Sequence, residues 1–159
     1  MSKNHHYSAS INWTGNKGSG TSSYRDYERS YDIAIEGKPV IKASSDPAFL
    51  GDETKHNPED LFLASISSCH MLWFLHLCAQ AGVIVSSYYD EARGTMEEER
   101  DGKGKFVEVV LAPKVEVEHE KMIEQTNALH QKANEMCFIA NSCNFKIVHE
   151  AEAFVRTKK

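Results

Sequence analysis

The sequence predicts an α+β domain in which antiparallel strands cover buried helices. A chain of 159 residues with 41% hydrophobic residues has the size and composition of one globular domain. The predicted elements run in the order strands, helix, hairpin, helix and strand, which differs from the strict alternation of a doubly wound fold. No repeat or linker interrupts this order, so we expect a single domain spanning residues 1–159.

Short strands are predicted ahead of the first helix. Residues 8–13 and 30–36 alternate between apolar and polar side chains, and a Gly- and Ser-rich turn at 15–23 separates them. A turn containing Gly and Pro precedes a third strand at 40–43. A polar loop over 44–55 then leads into the helix.

The first helix has clearly marked ends. Asn57 can cap it, and Pro58 suits the first helical position. Glu59 and Asp60 complement the positive end of the helix dipole, and Gly82 can terminate the helix. These signals predict a helix that begins at Pro58 and ends before Gly82.

The body of this helix is apolar on all sides. Residues 61–82 contain no Lys, Arg, Asp or Glu, and about 20 residues are enough to cross a bilayer. Three serines, two histidines and a glutamine within the run, without a basic flank, argue against a membrane span. A helix that is apolar all round must be enclosed, and in so small a chain we expect the enclosure to need a second subunit.

A long hairpin, a second helix and a final strand are predicted after this helix. Residues 83–97 and 106–119 alternate as two strands around a turn at 100–104. Apolar residues then recur at helical spacing over 121–136, and 145–155 returns to strand character. These elements complete the α+β pattern.

Charge and cysteine usage exclude several classes of protein. The net charge is −5 and the basic residues are scattered among acids, so nucleic acid is not an expected partner. The first residues resemble no secretory signal, so we expect a cytoplasmic protein with reduced thiols. The four cysteines lack the spacing of a structural zinc site, and we expect no metal or other cofactor.

Two cysteines lie within apolar stretches far apart in the chain. Cys69 follows two serines in the first helix, and Cys137 lies near the end of the second. A cysteine among apolar neighbours is usually an inert core residue, so their setting must carry any case for thiol chemistry.

The motifs around these cysteines resemble those of the OsmC/Ohr family. Asn57-Pro58-Glu59-Asp60-Leu61 is followed by Cys69, and a second cysteine comes near the end of a later helix. The runs that most resemble the organic hydroperoxide reductases of this family are 51–52, 56–61, 68–73 and 137–142. The resemblance implies an intertwined homodimer whose sheets wrap central helices, with active sites at the subunit interface. It also implies metal-free reduction of organic hydroperoxides to alcohols by two cysteines.

The same resemblance implies a role for each cysteine. Cys69 would be the nucleophile that passes to sulfenic acid, and Cys137 would condense with it to form a disulfide. An external dithiol, of the lipoyl type by resemblance, would then recycle the pair.

A buried thiol needs a cation to stabilise its ionised form, and arginine is the natural choice. The resemblance places this arginine in the early strands, where Arg29 is preferred over Arg25, with Glu59 as the carboxylate that orients it. Both arginines are alternatively exposed residues that pair with nearby acids. Glu59 is alternatively a dipole partner, since ten helical residues at about 1.5 Å each separate it from Cys69.

Apolar side chains near the cysteines are candidate walls of a site for bulky organic peroxides. Ordinary core packing is the alternative for each, and the residues are Leu72, Trp73, Phe74, Met136 and Phe138. Phe138 also marks a departure from the family, in which many members carry Pro after the second cysteine.

The remaining histidines and cysteines carry weaker signals. Since helix neighbours point about 100° apart, His70 is expected to be a core or interface residue despite adjoining Cys69. His76 lies on the Cys69 face, so a metal site with Cys137 is an alternative to redox chemistry. Cys78 and Cys143 are expected to be packing residues.

Two other functions fit the same residues. The chain is alternatively a non-enzymatic dimer that binds an apolar ligand, with cysteines that only fill space. It is also alternatively a redox sensor with the same thiol chemistry but no turnover. Thiol reactivity at neutral pH separates the first of these from the peroxidase.

Overall fold

The computed structural model describes residues 3–155. They form two compact units that divide between Leu61 and Phe62, near the start of the long helix. Each unit has its own sheet structure.

The first unit contains a three-stranded antiparallel sheet. The strands are β1 (Ser10–Trp13), β2 (Tyr31–Ala34) and β3 (Ile41–Ala43), with β2 in the centre. All three predicted strands are present, with shorter bounds. A 3₁₀ turn, Pro47–Phe49, interrupts the predicted loop, and Asp46 caps it by accepting a hydrogen bond from the Ala48 amide. Gly51 follows this turn at a point where a Cβ would lie 1.6 Å from the Ser45 carbonyl oxygen, so only glycine fits.

Helix α1 (Pro58–Ala81) has the predicted ends. The Asp60 amide donates to Asn57 Oδ1 at 2.7 Å, and the Asn57 amide donates back to the Asp60 carboxylate at 3.3 Å. This reciprocal pair is a capping box. Gly82 takes a left-handed conformation (φ 72°), which lets the Val83 amide donate to the Cys78 carbonyl at 2.9 Å and end the helix.

Within one chain, α1 is buried along one stripe only. Ile66, His70, Phe74 and Cys78 recur every fourth residue and are buried, whereas Leu72 on another face is 63% exposed. The predicted burial on nearly all faces is therefore not achieved by the chain alone. Among residues 3–155, α1 is the helix long and apolar enough to cross a membrane, a composition that core helices of soluble proteins share.

The second unit contains two three-stranded sheets that share the predicted hairpin. Each arm of the hairpin is broken into two strands, and the breaks are at 91–92 and at Ala112. Asp90 links the two arms of the hairpin at these breaks and ties them to α1. Its carboxylate accepts hydrogen bonds from the Ala112 amide at 2.8 Å and from the Ser67 hydroxyl. One sheet has the order β4-β7-β9 and the other β5-β6-β8. The strands are β4 (Val85–Asp90), β5 (Arg93–Glu98), β6 (Gly104–Leu111), β7 (Pro113–Val117), β8 (Lys146–His149) and β9 (Glu152–Val155).

The last strands differ from the expectation in two ways. The single strand predicted over 145–155 is two strands, β8 and β9, so that each can join a different sheet. Both join in parallel, β8 to β6 and β9 to β7, which corrects the expectation of purely antiparallel sheets. A helical crossover separates β7 from β8, and such a connection permits parallel pairing.

Helix α2 (Ile123–Met136) forms this crossover. A 3₁₀ turn, Glu120–Met122, precedes it, so the predicted start at residue 121 falls in that turn. The helix ends at Cys137, whose backbone is extended. A second 3₁₀ turn, Ala140–Ser142, follows.

The α1 stripe contributes to two apolar clusters in the second unit. One cluster joins Phe74 and Cys78 to the β7 valines and to Ala133 of α2. The other joins Ile66 to Val109 and Leu111 of β6. These contacts place the middle of α1, which contains Cys69, against the elements that surround Cys137.

Candidate functional site

The structure brings Cys69 and Cys137 together. Cys69 is half-buried in the middle of α1, and Cys137 is fully buried directly after α2. Both are free thiols, and Cys69 lies close enough to Cys137 to raise the pKa of the Cys137 thiol. Beside them, the ring of Trp73 on α1 meets the ring of Phe138, which directly follows Cys137.

The environment of Cys137 keeps it protonated. Burial, and secondarily the neighbouring Cys69 thiol, raise the pKa of the Cys137 thiol to about 11. The Ala140 amide, which donates to Cys137 Sγ at 3.4 Å, opposes the rise. At neutral pH the Cys137 thiol is therefore protonated.

A small cavity lies along the Cys69 face of α1. It has a volume of about 230 Å³ and is lined by Leu72, Trp73 and His76. These residues lie three, four and seven positions after Cys69, so all share its helix face. The Trp73 ring meets the rings of His76 and Phe138 edge-on, at 5.7 and 5.6 Å between centroids.

The predicted wall residues lie in three different environments. Leu72 and Trp73 line the cavity, and Phe138 adjoins it through Trp73. Met136 is half-buried at the end of α2. Phe74 is fully buried on the opposite face of α1 and stacks on His130 at 4.0 Å, so the structure places it in the core and not at the cavity.

The two candidate arginines lie in the first unit and differ in their surroundings. The Arg29 guanidinium donates to the Tyr27 carbonyl at 2.6 Å and to the Tyr24 carbonyl. The guanidinium also lies over the rings of Tyr24 and Tyr27, at 4.3 and 4.2 Å from their respective centroids. Arg25 is exposed. Contacts with these two tyrosines thus fix the orientation of the Arg29 side chain within the first unit.

Glu59 lies in the first turn of α1. In that unit it is near Tyr31, whose pKa is raised by burial and, secondarily, by the negative charge of Glu59. The position also suits the helix dipole, which was the alternative role for this carboxylate.

A cluster of buried histidines is a feature that the sequence reasoning did not identify as a group. His70 Nε2 lies 3.0 Å from His130 Nδ1, and the His149 ring lies 4.5 Å from the His70 ring. Burial lowers the pKa of His70 to about 3 and that of His130 to about 4, and it also lowers the pKa of His149. His130 is on the apolar face of α2, and a histidine at that spacing was the available signal.

The remaining candidate residues are part of the packing. Cys78 belongs to the core, where burial raises its pKa to about 11. Cys143 is half-buried and donates to the Ile139 carbonyl at 3.3 Å. Within residues 3–155, no group of three or more His, Cys, Asp or Glu side chains has the arrangement of a metal site, so nothing favours the Cys69, His76 and Cys137 metal alternative.

Comparison with solved structures finds the same fold in several bacterial proteins. An OsmC-like protein of unknown function from Vibrio cholerae is 34% identical, with a TM-score of 0.83 over 92% of this chain and 99% of that one. An organic hydroperoxide resistance protein from Elizabethkingia anophelis is 16% identical, with a TM-score of 0.69 over 98% of this chain and 100% of that one. The organic hydroperoxide resistance protein OhrB of Bacillus subtilis is 19% identical, with a TM-score of 0.61 over 93% and 98% of the two chains.

Comparison with curated protein sequences gives no match. The family model for OsmC-like proteins matches residues 51–152, which include α1, both cysteines and most of the second unit. The fold and the family model agree, and the chain belongs to the OsmC family.

Proposed function

We propose that this protein is a thiol peroxidase that reduces organic hydroperoxides to alcohols. The observation that carries the proposal is the proximity of Cys69 and Cys137, seen in the effect of Cys69 on the pKa of Cys137 and in the contact between Trp73 and Phe138 beside them. Support also comes from the family, since hydroperoxide resistance proteins have the same fold. The 34% identical relative has no stated function, so the chemistry rests on this chain's own residues.

The proposed reaction begins at Cys69. Its thiolate attacks the terminal peroxide oxygen, the O–O bond breaks, and the alkoxide leaves and takes up a proton to become the alcohol. The sulfur is oxidised to sulfenic acid and the peroxide is reduced by two electrons. Cys137 sulfur then attacks Cys69 sulfur, the hydroxyl group leaves as water with the Cys137 proton, and a disulfide forms.

A dithiol from outside the chain completes the proposed cycle. It supplies two electrons and two protons, restores both thiols and becomes a disulfide itself. A lipoyl-type dithiol is the proposed class, on the strength of the family resemblance.

Burial supports different steps for the two thiols. Cys137 has no exposed surface, whereas Cys69 is partly exposed and shares a helix face with the cavity. A peroxide that enters the cavity therefore reaches Cys69 first. Because its pKa is raised to about 11, Cys137 is a protonated thiol that does not compete for the peroxide.

The cavity walls support a preference for bulky substrates. Leu72, Trp73 and the neighbouring Phe138 offer apolar surface that an alkyl or aryl group buries and that hydrogen peroxide cannot use. We therefore propose that organic hydroperoxides react faster than hydrogen peroxide.

Arg29, with Arg25 as the alternative, is proposed to stabilise the charge that the reaction needs at Cys69, and Glu59 is proposed to orient the guanidinium. The support comes from contacts of Arg29 within the first unit. Two tyrosine rings and two carbonyl groups contact its guanidinium and fix the orientation of this charged group.

Assembly and location are also proposals. The apolar sides of α1 that one chain leaves uncovered support a homodimer in which a second copy covers them. A cytoplasmic location would keep the thiols reduced between cycles. Neither nucleic acid nor a membrane is a proposed partner.

The test is oxidation of the reduced protein by one equivalent of cumene hydroperoxide or hydrogen peroxide, followed by mass and free-thiol counts. We expect a rapid Cys69–Cys137 disulfide with the organic peroxide, no reaction in Cys69→Ser and a trapped sulfenic acid in Cys137→Ser. Cys78→Ser and Cys143→Ser are matched controls that should react as the wild type does. Unreactive thiols in the wild type would overturn the proposal and favour the apolar-ligand module, and stoichiometric oxidation without turnover on lipoyl dithiols would favour the redox sensor.

A further inference from the structure

The helices that present the two cysteines are joined by a second buried contact. His70 of α1 and His130 of α2 share a hydrogen bond of 3.0 Å, with one ring donating and the other accepting. Their side chains are 1% and 3% exposed. His70 directly follows Cys69, and His130 lies seven residues before Cys137. The first helix therefore contributes Cys69 and His70, and α2 with the residue that follows it contributes His130 and Cys137.

The positions of the two contacts constrain how α1 lies against α2. Cys69 and His70 project about 100° apart around α1, so a rotation of α1 about its axis cannot preserve both contacts. On α2, seven residues at about 1.5 Å each separate His130 from Cys137 along the helix. Two contacts placed in this way fix both the rotation of α1 and its position along α2, which the thiol contact alone would not.

The two rings are themselves held in place. Phe74 stacks on His130 with an interplanar angle of 7°, and His149 packs against His70. Within residues 3–155, His70 Nδ1 and His130 Nε2 are buried without a hydrogen-bond partner. The bond between the rings is thus the one that satisfies each imidazole, and losing it would leave two more buried polar atoms unpaired.

We propose that His70 and His130 are a positioning pair that keeps the thiols of Cys69 and Cys137 beside each other. The inference rests on the proposed function, in which the two thiols form a disulfide. Neither histidine takes part in a chemical step. The pair acts by raising the effective concentration of one thiol at the other, which favours the disulfide at equilibrium.

The test measures this equilibrium without any peroxide. The full-length protein is equilibrated with mixtures of reduced and oxidised dithiothreitol, free thiols are alkylated, and the Cys69–Cys137 disulfide is quantified by mass. In this exchange the protein loses two electrons and two protons to oxidised dithiothreitol, so the constant reports the disulfide's stability.

Three variants separate positioning from simple stability. His70→Leu removes the hydrogen bond. His70→Gln retains an amide that can donate or accept near the Nε2 position. Thr126→Ala is the matched control, because this fully buried α2 residue bonds only to the Met122 carbonyl, at 2.7 Å, within the same segment of chain.

We expect His70→Leu to lower the disulfide equilibrium constant at least about tenfold, His70→Gln to stay within about threefold of the wild type, and Thr126→Ala to leave it unchanged. His130→Phe keeps a ring against Phe74 but cannot hydrogen-bond. Its disulfide equilibrium constant should be as low as that of His70→Leu. The His130→Phe variant therefore provides the same test if His70→Leu does not fold. Circular dichroism and thermal unfolding verify the folded state.

The outcomes are distinguishable. A wild-type constant in folded His70→Leu or His130→Phe, or a His70→Gln constant as low as that of His70→Leu, would overturn the positioning pair and leave the proposed function standing. Failure of the wild type to form the Cys69–Cys137 disulfide at all would overturn both.

Discussion

The Cys137 thiol lies close enough to the Cys69 thiol to have its pKa raised by it, although the two residues belong to different parts of the second unit. Cys69 lies within α1, and Cys137 begins the extended segment that follows α2. Because α2 ends there, the backbone turns and the Ala140 amide can reach the Cys137 sulfur. The end of α2 therefore also fixes the position of the Cys137 thiol.

The two arginines should differ in their effect on peroxide reduction. We expect Arg29→Lys to slow oxidation of Cys69 by cumene hydroperoxide at least about tenfold, because lysine keeps the charge but lacks the planar fork that the two tyrosine carbonyls hold. Arg25→Lys is the matched control and should change the rate less than about twofold, since Arg25 is exposed. Stopped-flow fluorescence gives both rates. A larger effect at Arg25 would reverse the assignment.

The cavity wall and the core should respond differently to the loss of a phenyl ring. Phe138, 65% exposed beside Trp73, should tolerate Phe138→Ala without a change in melting temperature, while kcat/KM for cumene hydroperoxide falls by about threefold to tenfold. The rate with hydrogen peroxide should not change. Phe74→Ala, in contrast, should lower the free energy of unfolding by about 3–5 kcal/mol. Equal losses with both peroxides in Phe138→Ala would argue against a substrate contact.

The buried histidines should make stability depend on pH. Their pKa values are lowered in the folded protein, to about 3 for His70 and about 4 for His130, so the unfolded chain binds more protons below its ordinary histidine pKa. The free energy of unfolding should therefore fall as the pH drops below about 6.5, by about 1.4 kcal/mol per pH unit for each such histidine. Urea unfolding between pH 7 and 5 measures this slope. His70→Gln should reduce it, and an unchanged slope would contradict the neutral state of His70.

The uncovered apolar face of α1 should bring two chains together. Sedimentation equilibrium is expected to give twice the 17.9 kDa of one chain. The association should persist at high salt, because burial of apolar surface drives it and charge pairing does not. A mass of 17.9 kDa across the concentration series would show that the exposed Leu72 face has no second copy upon it.

Much of the fold follows from local signals in the sequence. Asn57 and Gly82 mark the ends of α1 because capping and left-handed termination depend on neighbouring residues only. The strands of the first sheet and the hairpin turn are equally local. The break at Asp90 and the parallel pairing of β8 and β9 depend on hydrogen bonds between distant segments, which local patterns do not contain.

The candidate site also contains residues that the sequence identified and an association that it did not reveal. The sequence identified Cys69 and Cys137, and it named Leu72 and Trp73 as wall candidates because they are apolar residues near Cys69. It also included Phe74, because composition does not distinguish a cavity wall from a core residue on the next face. The association of His70 with His130 was missed, since nothing in either helix alone shows that the two rings meet.

By itself, the sequence determined the two helices, the strands of the first sheet, the family motifs and the two cysteines, because each depends on residue type and short-range spacing. The tertiary structure decided which thiol is buried, which rings stack and which face of α1 is covered. These properties depend on the packing of side chains that are distant in the chain, and burial, pKa and thiol contact follow from that packing alone.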